Sequence, residues 1–303
     1  MTTTIAPVEE RRSYGIGILL FAQLFFATLD TSAKYLSFIG LPLTQIVFVR
    51  YGIHVLLALA LFLPVQRDLF VTRNWKLQLL RGLCLLGVTA ANFLAMRLLP
   101  LTVTGALMFT MPLMVTALSG PFLGEKIGWR RWAAVGAGFV GILIIVRPGT
   151  EAFHPASLIC LAGALSAAFY SIITRKLAGV DSAATQQVYS GLIALFCVAP
   201  FAFNGWVWPS TGPGWFAFVA IGVTGMIAHQ LNTIAHRYAP PSALAPFSYT
   251  ELLLLALASW LIFSEPPDVW FYAGAPIIIG SGIYIWLRER KLRREITVGA
   301  VED

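Results

Sequence analysis

Long apolar runs separated by short polar gaps fill almost the whole chain. Ten runs stand out, at roughly 15–36, 42–64, 77–98, 101–122, 130–147, 155–176, 182–203, 215–236, 242–263 and 269–287. A helix needs about 20 mainly apolar residues to cross the ~30 Å hydrocarbon layer of a bilayer. Most of the runs have about that length. None shows the strict alternation of a barrel strand. The pattern predicts an all-α integral membrane protein with ten transmembrane helices. The gaps are too short for a soluble domain; the longest are 65–76 and 204–214. The second, NGWVWPSTGPG, has the Trp, Pro and Gly content of a loop at a membrane interface. No small-residue cleavage site closes the first run, so it reads as a retained helix and not a removable signal.

The polar residues repeat. At a spacing of 140, Trp75 falls opposite Trp215, Gly82 opposite Gly222, Asn92 opposite Asn232 and Arg97 opposite Arg237. Pro100 meets Pro240, Thr110 meets Thr250, Ser119 meets Ser259 and Glu125 meets Glu265 in the same register. Before the third run the spacing is 141, matching Thr44 with Thr185 and Gln45 with Gln186, and setting Lys34 opposite Arg175. Apolar identities between membrane segments carry little information, but matched Asn, Arg, Pro and Glu do. The halves divide at about residue 149, into 1–149 and 150–303, with five helices each. An odd number inverts the second copy. In transporters such inverted repeats place a substrate near the midplane between the halves and supply two related states facing opposite sides.

Charge sets the orientation. With the N-terminus placed in the cytoplasm, the inside segments hold 16 Lys and Arg and the outside connections 2, Arg97 and Arg147. The positive-inside rule then puts both termini in the cytoplasm, in the plasma (bacterial inner) membrane. The net charge of +7 is therefore the imprint of an anionic membrane face and not of nucleic acid. Composition agrees: 58% of the residues are hydrophobic, 12% are charged, and the mean hydropathy is +0.77. Three cysteines stand singly in apolar runs, so no disulfide framework or metal site is expected. No phosphate-binding G-x-x-x-x-G-K-[ST], no G-x-S-x-G and no H-E-x-x-H occurs. The chain reads as a secondary transporter without cofactor, metal or catalytic residues; an intramembrane enzyme is the contrasting class.

The stretch LTVTGALMFTMPLMVTALSGPFLGEKIGWRRWAAVGAGFVGILIIVRPG spans the fourth and fifth runs. With its Gly124-Glu125 and the glycine-rich helix that follows, it resembles the EamA-type members of the drug/metabolite transporter superfamily. The second copy departs from this motif, with Ser264-Glu265-Pro266, but keeps Gly274, Gly280 and Gly282. The resemblance covers nearly the whole chain and implies ten helices in two inverted halves carrying a small organic metabolite. The wording of PLTQIVFVRYG and of the RGLCLL and LPLTVTGAL segments is most similar to members that take up riboflavin or S-adenosylmethionine. Export of amino acids, drugs or other metabolites is the alternative within the family.

Ionisable residues inside the runs invite an explanation, because a charge at mid-bilayer costs ~2.5–3.5 kcal/mol. Asp30 and Arg50 lie at similar depths, ~9 Å and ~12 Å from one membrane face at 1.5 Å per residue. They are expected to meet, either as a gate or substrate clamp or as a self-satisfied pair locking two helices. His54 is one turn from Arg50 on the same helix face. His229 and Glu251 fall near mid-membrane, and Glu251 reads as a proton-coupling carboxylate or as a neutral acid bonded to Thr250 or His229. Asn92 and Asn232, with Gln230, could grip a polar ring edge or simply join helices. Tyr249, with other aromatic residues, could stack on a planar substrate. Arg97 and Arg237 at helix C-termini, and Glu125 and Glu265 before helices, read as structural groups facing helix dipoles. The glycines Gly136, Gly138 and Gly141 allow close helix approach within the chain or in a homodimer. The partners expected are thus a small-molecule substrate and membrane lipid.

Overall fold

A computed structural model describes residues 12–123, 128–150, 153–177, 180–238, 247 and 249–302, and its regular elements are all helices. In the first half these are α1 (Arg12–Phe38), α2 (Leu43–Phe62), α3 (Trp75–Leu98), α4 (Leu101–Met108), α5 (Met111–Leu123) and α6 (Trp129–Val146). The second half contains α7 (Ala156–Leu177), α8 (Ala183–Ala202), α9 (Gly212–Tyr238), α10 (Thr250–Phe263) and α11 (Val269–Glu302). Six helices are long and apolar enough to cross a membrane, and shorter apolar stretches occupy the remaining expected spans.

Local chemistry explains the boundaries. After α1 the chain turns at Gly40 with φ +90°, a conformation open to glycine, and Pro42 then precedes α2. Asn74 and Ser182 cap α3 and α8 by accepting hydrogen bonds from Leu77 N–H (3.2 Å) and Thr185 N–H (3.0 Å). Asp268 caps α11, accepting from Phe271 N–H at 2.8 Å. The capping acid is therefore Asp268, and Glu265 turns elsewhere. The fourth apolar run, expected as one span, is two helices with a break at Phe109 and Thr110. A proline at 112 has no N–H for the Met108 carbonyl four residues back, and α4 ends at Met108. The equivalent run of the second half resumes as helix at Thr250, with Tyr249 in a turn; residues 239–246 and 248 lie outside the described part.

The packing shows the repeat. α1 lies along α9, and its repeat counterpart is α3 along α7. The pairs α2 with α8, α4 with α10, and α6 with α11 join equivalent helices of the two halves. Gly82 and Gly222 mark equivalent close approaches. A Cβ on Gly82 would sit 2.8 Å from Ile193 Cβ, and one on Gly222 would sit 2.3 Å from Ile53 Cβ. Gly141 on α6 and Gly274 on α11 do the same for their pair, where a Cβ on Gly274 would lie 2.7 Å from the Gly141 carbonyl oxygen. Those glycines thus serve a contact within the chain.

The bundle has two ends. At the termini end, Tyr14 meets Tyr238 edge-on, and the 63–74 loop binds the start of α8 through Gln66 to Ser182 at 2.9 Å. At the far end, the Gln45 side chain exchanges two hydrogen bonds with the Val207 backbone, and Arg147 pairs with Asp268 at 3.0 Å. An aromatic cluster of Phe48, Phe203, Trp206, Trp208, Trp215 and Phe218 covers this end. Lys34 on α1 forms an ion pair with Glu265 across the halves there, and donates to the Leu99 carbonyl at 3.1 Å.

Candidate functional site

Between these ends, polar side chains from α1, α2, α3 and α9 converge. Arg50 is their centre. It is buried, with Nη1 donating to Thr89 Oγ1 at 2.6 Å. Nη2 lies 3.4 Å from His229 Nε2. An arginine can only donate, so that ring nitrogen accepts and the imidazole proton belongs on Nδ1. The guanidinium carbon stands 4.6 Å from the Tyr51 ring centre and 5.7 Å from that of Phe93. Tyr51 shares Thr89, at 2.7 Å, and donates to the Leu85 carbonyl at 3.2 Å. The α3 face carrying Leu85, Thr89, Asn92 and Phe93 is therefore the wall that positions Arg50.

Asp30 uses the same wall. Its carboxylate accepts from Asn92 Nδ2 at 3.5 Å. The expected Asp30–Arg50 ion pair is not made in this conformation, although Asp30 remains within electrostatic reach of Arg50. The reason is the spacing on α3: Thr89 and Asn92 stand at i and i+3 and take one ionic group each. Asn92 Oδ1, Arg50 Nε and Gln230 Oε1 are buried without hydrogen-bond partners. Two of these are acceptors and one is a donor.

His54 and Arg50, expected on one face of α2, both approach His229; the two imidazole centres are 6.4 Å apart. Phe26 closes over His229 edge-on at 5.1 Å. Glu251 stands in the first turn of α10, within electrostatic reach of Asp30 from the other half. Tyr249, just before it, is buried against Phe109, with ring centres 5.1 Å apart. Gln230 and Asn232 follow His229 on α9.

Sequence reasoning missed Thr89 and Phe93, which the helix-face spacing from Asn92 could have flagged. It also missed how Arg81 is held. That buried guanidinium donates to Thr174 (2.8 Å), the Gln186 carbonyl (2.7 Å), Ser190 (2.5 Å) and Tyr170 OH (2.6 Å), tying α3 to α7 and α8. No metal-like group of His, Cys, Asp and Glu occurs among the described residues.

Known proteins give this arrangement its context. The EamA-like transporter family matches residues 13–147 and again residues 154–287. The riboflavin transporter of Vibrio cholerae is 33% identical over 289 residues, covering 91% of this chain and 94% of its own. The S-adenosylmethionine uptake transporter of Rickettsia bellii is 30% identical, covering 92% and 95%. The pseudopaline exporter of Pseudomonas aeruginosa is 27% identical, covering 88% and 93%. A solved crystal structure at 21% identity superposes with a TM-score of 0.64 over 92% of this chain and 99% of its own, which supports the fold alone. With both halves matched, and with apolar helices able to span a bilayer, the chain belongs to the EamA-like transporter family and is a multi-pass membrane transporter of small metabolites.

Proposed function

We propose that this chain takes up riboflavin or a similar heterocyclic metabolite across the bacterial inner membrane, by alternating access between its two halves, with both termini in the cytoplasm and no catalytic chemistry. The observation that carries the reading is the 33% identity to the Vibrio cholerae riboflavin transporter across 91% of the chain. The site chemistry supports it. Arg50 Nε–H is an unspent buried donor and Asn92 Oδ1 an unspent buried acceptor. Leaving such groups unpaired costs about 1–3 kcal/mol each, so a solute that pairs both is favoured. A planar ring with a carbonyl beside an N–H offers that combination, and the Tyr51 and Phe93 rings beside Arg50 offer it flat surfaces.

A second reading is uptake of S-adenosylmethionine, favoured by the carboxylates Asp30 and Glu251, one from each half and within electrostatic reach of each other. Such a pair suits a cationic solute. Purified protein in liposomes separates the two. The expected result is saturable uptake of labelled riboflavin that unlabelled S-adenosylmethionine does not inhibit. Uptake of labelled S-adenosylmethionine without riboflavin uptake would overturn the first reading in favour of the second. Net efflux from loaded vesicles under every gradient tried would favour export instead.

A further inference from the structure

At the far end of the bundle a cavity of about 160 Å³ lies between the halves. Its wall includes Lys34 and Ser37 from α1, Arg97 and Pro100 at the α3–α4 corner, and Glu265 after α10. The Lys34–Glu265 pair crosses the cavity and is lopsided: the Lys34 side chain is 8% exposed and that of Glu265 is 38% exposed. Ser37 Oγ is buried with no hydrogen-bond partner. Two cations, Lys34 and Arg97, and the unspent Ser37 hydroxyl therefore line a cavity that has a single carboxylate, Glu265.

The repeat register adds a second observation. Lys34 corresponds to Arg175, Arg97 to Arg237, Pro100 to Pro240 and Glu265 to Glu125. Four cavity-lining residues thus keep their chemical type in the other half, where inversion assigns them to the termini end. The side chains of Arg175, Arg237, Pro240 and Glu125 lie outside the described part of the structure.

We propose that this cavity is an entry site for the anionic group of a solute, a carboxylate or phosphate, which takes the place of Glu265 on Lys34 and so releases the latch between the halves. The energetics follow from the burial. Withdrawing Glu265 alone strands a buried ammonium, which is costly. An incoming anion restores the pair, and Arg97 adds a second charge-assisted hydrogen bond. Glu265 is the more solvated partner and gives up least on leaving. Opening is then coupled to binding, because the anion has greater affinity for the open state. The proposal rests on membership of the transporter family and is independent of which heterocycle is carried.

The test uses the full chain with Cys84, Cys160 and Cys197 changed to Ala, and a reporter Met96→Cys at the cavity wall. Labelling by a membrane-impermeant thiol reagent is followed in micelles without added lipid. Glu265→Gln is expected to raise the labelling rate about tenfold, the factor that ~1.4 kcal/mol of latch energy holds back. Millimolar inorganic phosphate or acetate is expected to speed labelling of the parent by opening the latch and to slow labelling of Glu265→Gln, whose latch is already open, by occupying the cavity; Arg97→Gln is expected to abolish both effects. The charge-swapped pair, Lys34→Glu with Glu265→Lys, is expected to label as slowly as the parent. An unchanged rate in Glu265→Gln, or fast labelling of the charge swap, would overturn the latch. Fast labelling unprotected by either anion would overturn the anion site. Protection that appears only in nanodiscs containing phosphatidylglycerol would assign the site to a lipid headgroup and overturn the solute reading.

Discussion

Phe109 and Tyr249 touch, with ring centres 5.1 Å apart and planes inclined by 40°, although each occupies the same position in its own half. A residue can meet its repeat counterpart only at the pseudo-two-fold axis, so the axis passes through this contact. Both residues also stand where helix is interrupted: Phe109 ends α4, and Tyr249 precedes α10. Each half thus places a helix discontinuity at the shared axis, the arrangement by which transporters expose backbone groups near the membrane midplane.

The contact should behave as a coupled unit. Aromatic pairs contribute about 0.5–1.5 kcal/mol beyond the area they bury. Phe109→Ala and Tyr249→Ala are each expected to lower unfolding stability in mixed micelles, and the double variant to lose less than the sum by roughly 1 kcal/mol. Strict additivity would show that the rings are merely adjacent.

Thr89 is expected to matter more than its plain chemistry suggests. Its hydroxyl holds both Arg50 and Tyr51. Thr89→Val keeps the shape but leaves a buried guanidinium N–H unpaired, a loss of about 1.5–3 kcal/mol for a hydrogen bond to a charged group. Thermal unfolding of the purified variant should show the loss, and Thr89→Ser should recover most of it. A Thr89→Val protein as stable as the parent would remove Thr89 as the support of Arg50.

Orientation has a direct check. The 16-to-2 distribution of Lys and Arg predicts that the far end faces outward. Single cysteines in the 204–214 loop should react with impermeant reagent on intact cells, and those in the 65–76 loop should not. The reverse pattern would place both termini outside.

Asp181 gives a pH signature at the termini end. Burial pushes its carboxyl up, but bonds from Thr72 Oγ1, the Arg73 backbone N–H and Gln78, with the Arg73 charge, outweigh this and hold it below the usual carboxylate range. A depressed folded-state value means that the stabilisation is present above the unfolded value, about 3.9, and is lost as the pH falls through the folded one. The group is largely solvated, so the effect is modest, within about 1 kcal/mol. Asp181→Asn should therefore loosen the 63–74 loop at neutral pH, seen as faster hydrogen exchange there, and should change little at pH values below the folded one. Equal exchange in parent and variant at pH 7 would remove the tie.

Helix number and the inverted repeat were legible in the sequence because both are written along the chain: hydropathy marks each span, and matched Asn, Arg, Pro and Glu mark the register. Depth was legible too, since it is a count of residues from a helix end. The direction a side chain faces among several packed helices was not. Asp30 and Arg50 share a depth, yet α3 interposes Thr89 and Asn92 and takes one group each. Hydropathy likewise passes over the break at Phe109, because a proline in an apolar run leaves the run apolar while removing a backbone donor. The Lys34–Glu265 pair joins residues 231 positions apart, and its legible trace was that both positions have charged counterparts of the same sign in the other half.

Glu251 is the residue expected to link transport to the proton gradient. It is the acid in the first turn of α10, immediately beyond the Phe109–Tyr249 contact, and Met111 occupies its counterpart position. The first half thus contributes no acid at that position, and the interior carboxylate nearest in charge is Asp30, from the opposite half. Two carboxylates that influence each other would hold protons interdependently, and opening one side of the bundle to water would then change the proton occupancy of both. A carboxylate that gains a proton from one side and loses it to the other would link solute movement to the proton gradient. Glu251→Gln keeps the size and hydrogen-bonding capacity of the protonated acid but cannot release a proton. The expected outcome is normal folding and solute binding, loss of pH-driven accumulation in proteoliposomes, and intact exchange of labelled for unlabelled solute, because exchange needs no net proton movement. Accumulation by Glu251→Gln with the pH dependence of the parent would exclude Glu251 as the coupling group. The same measurement on Asp30→Asn would then decide between coupling through Asp30 and transport that follows the solute gradient alone.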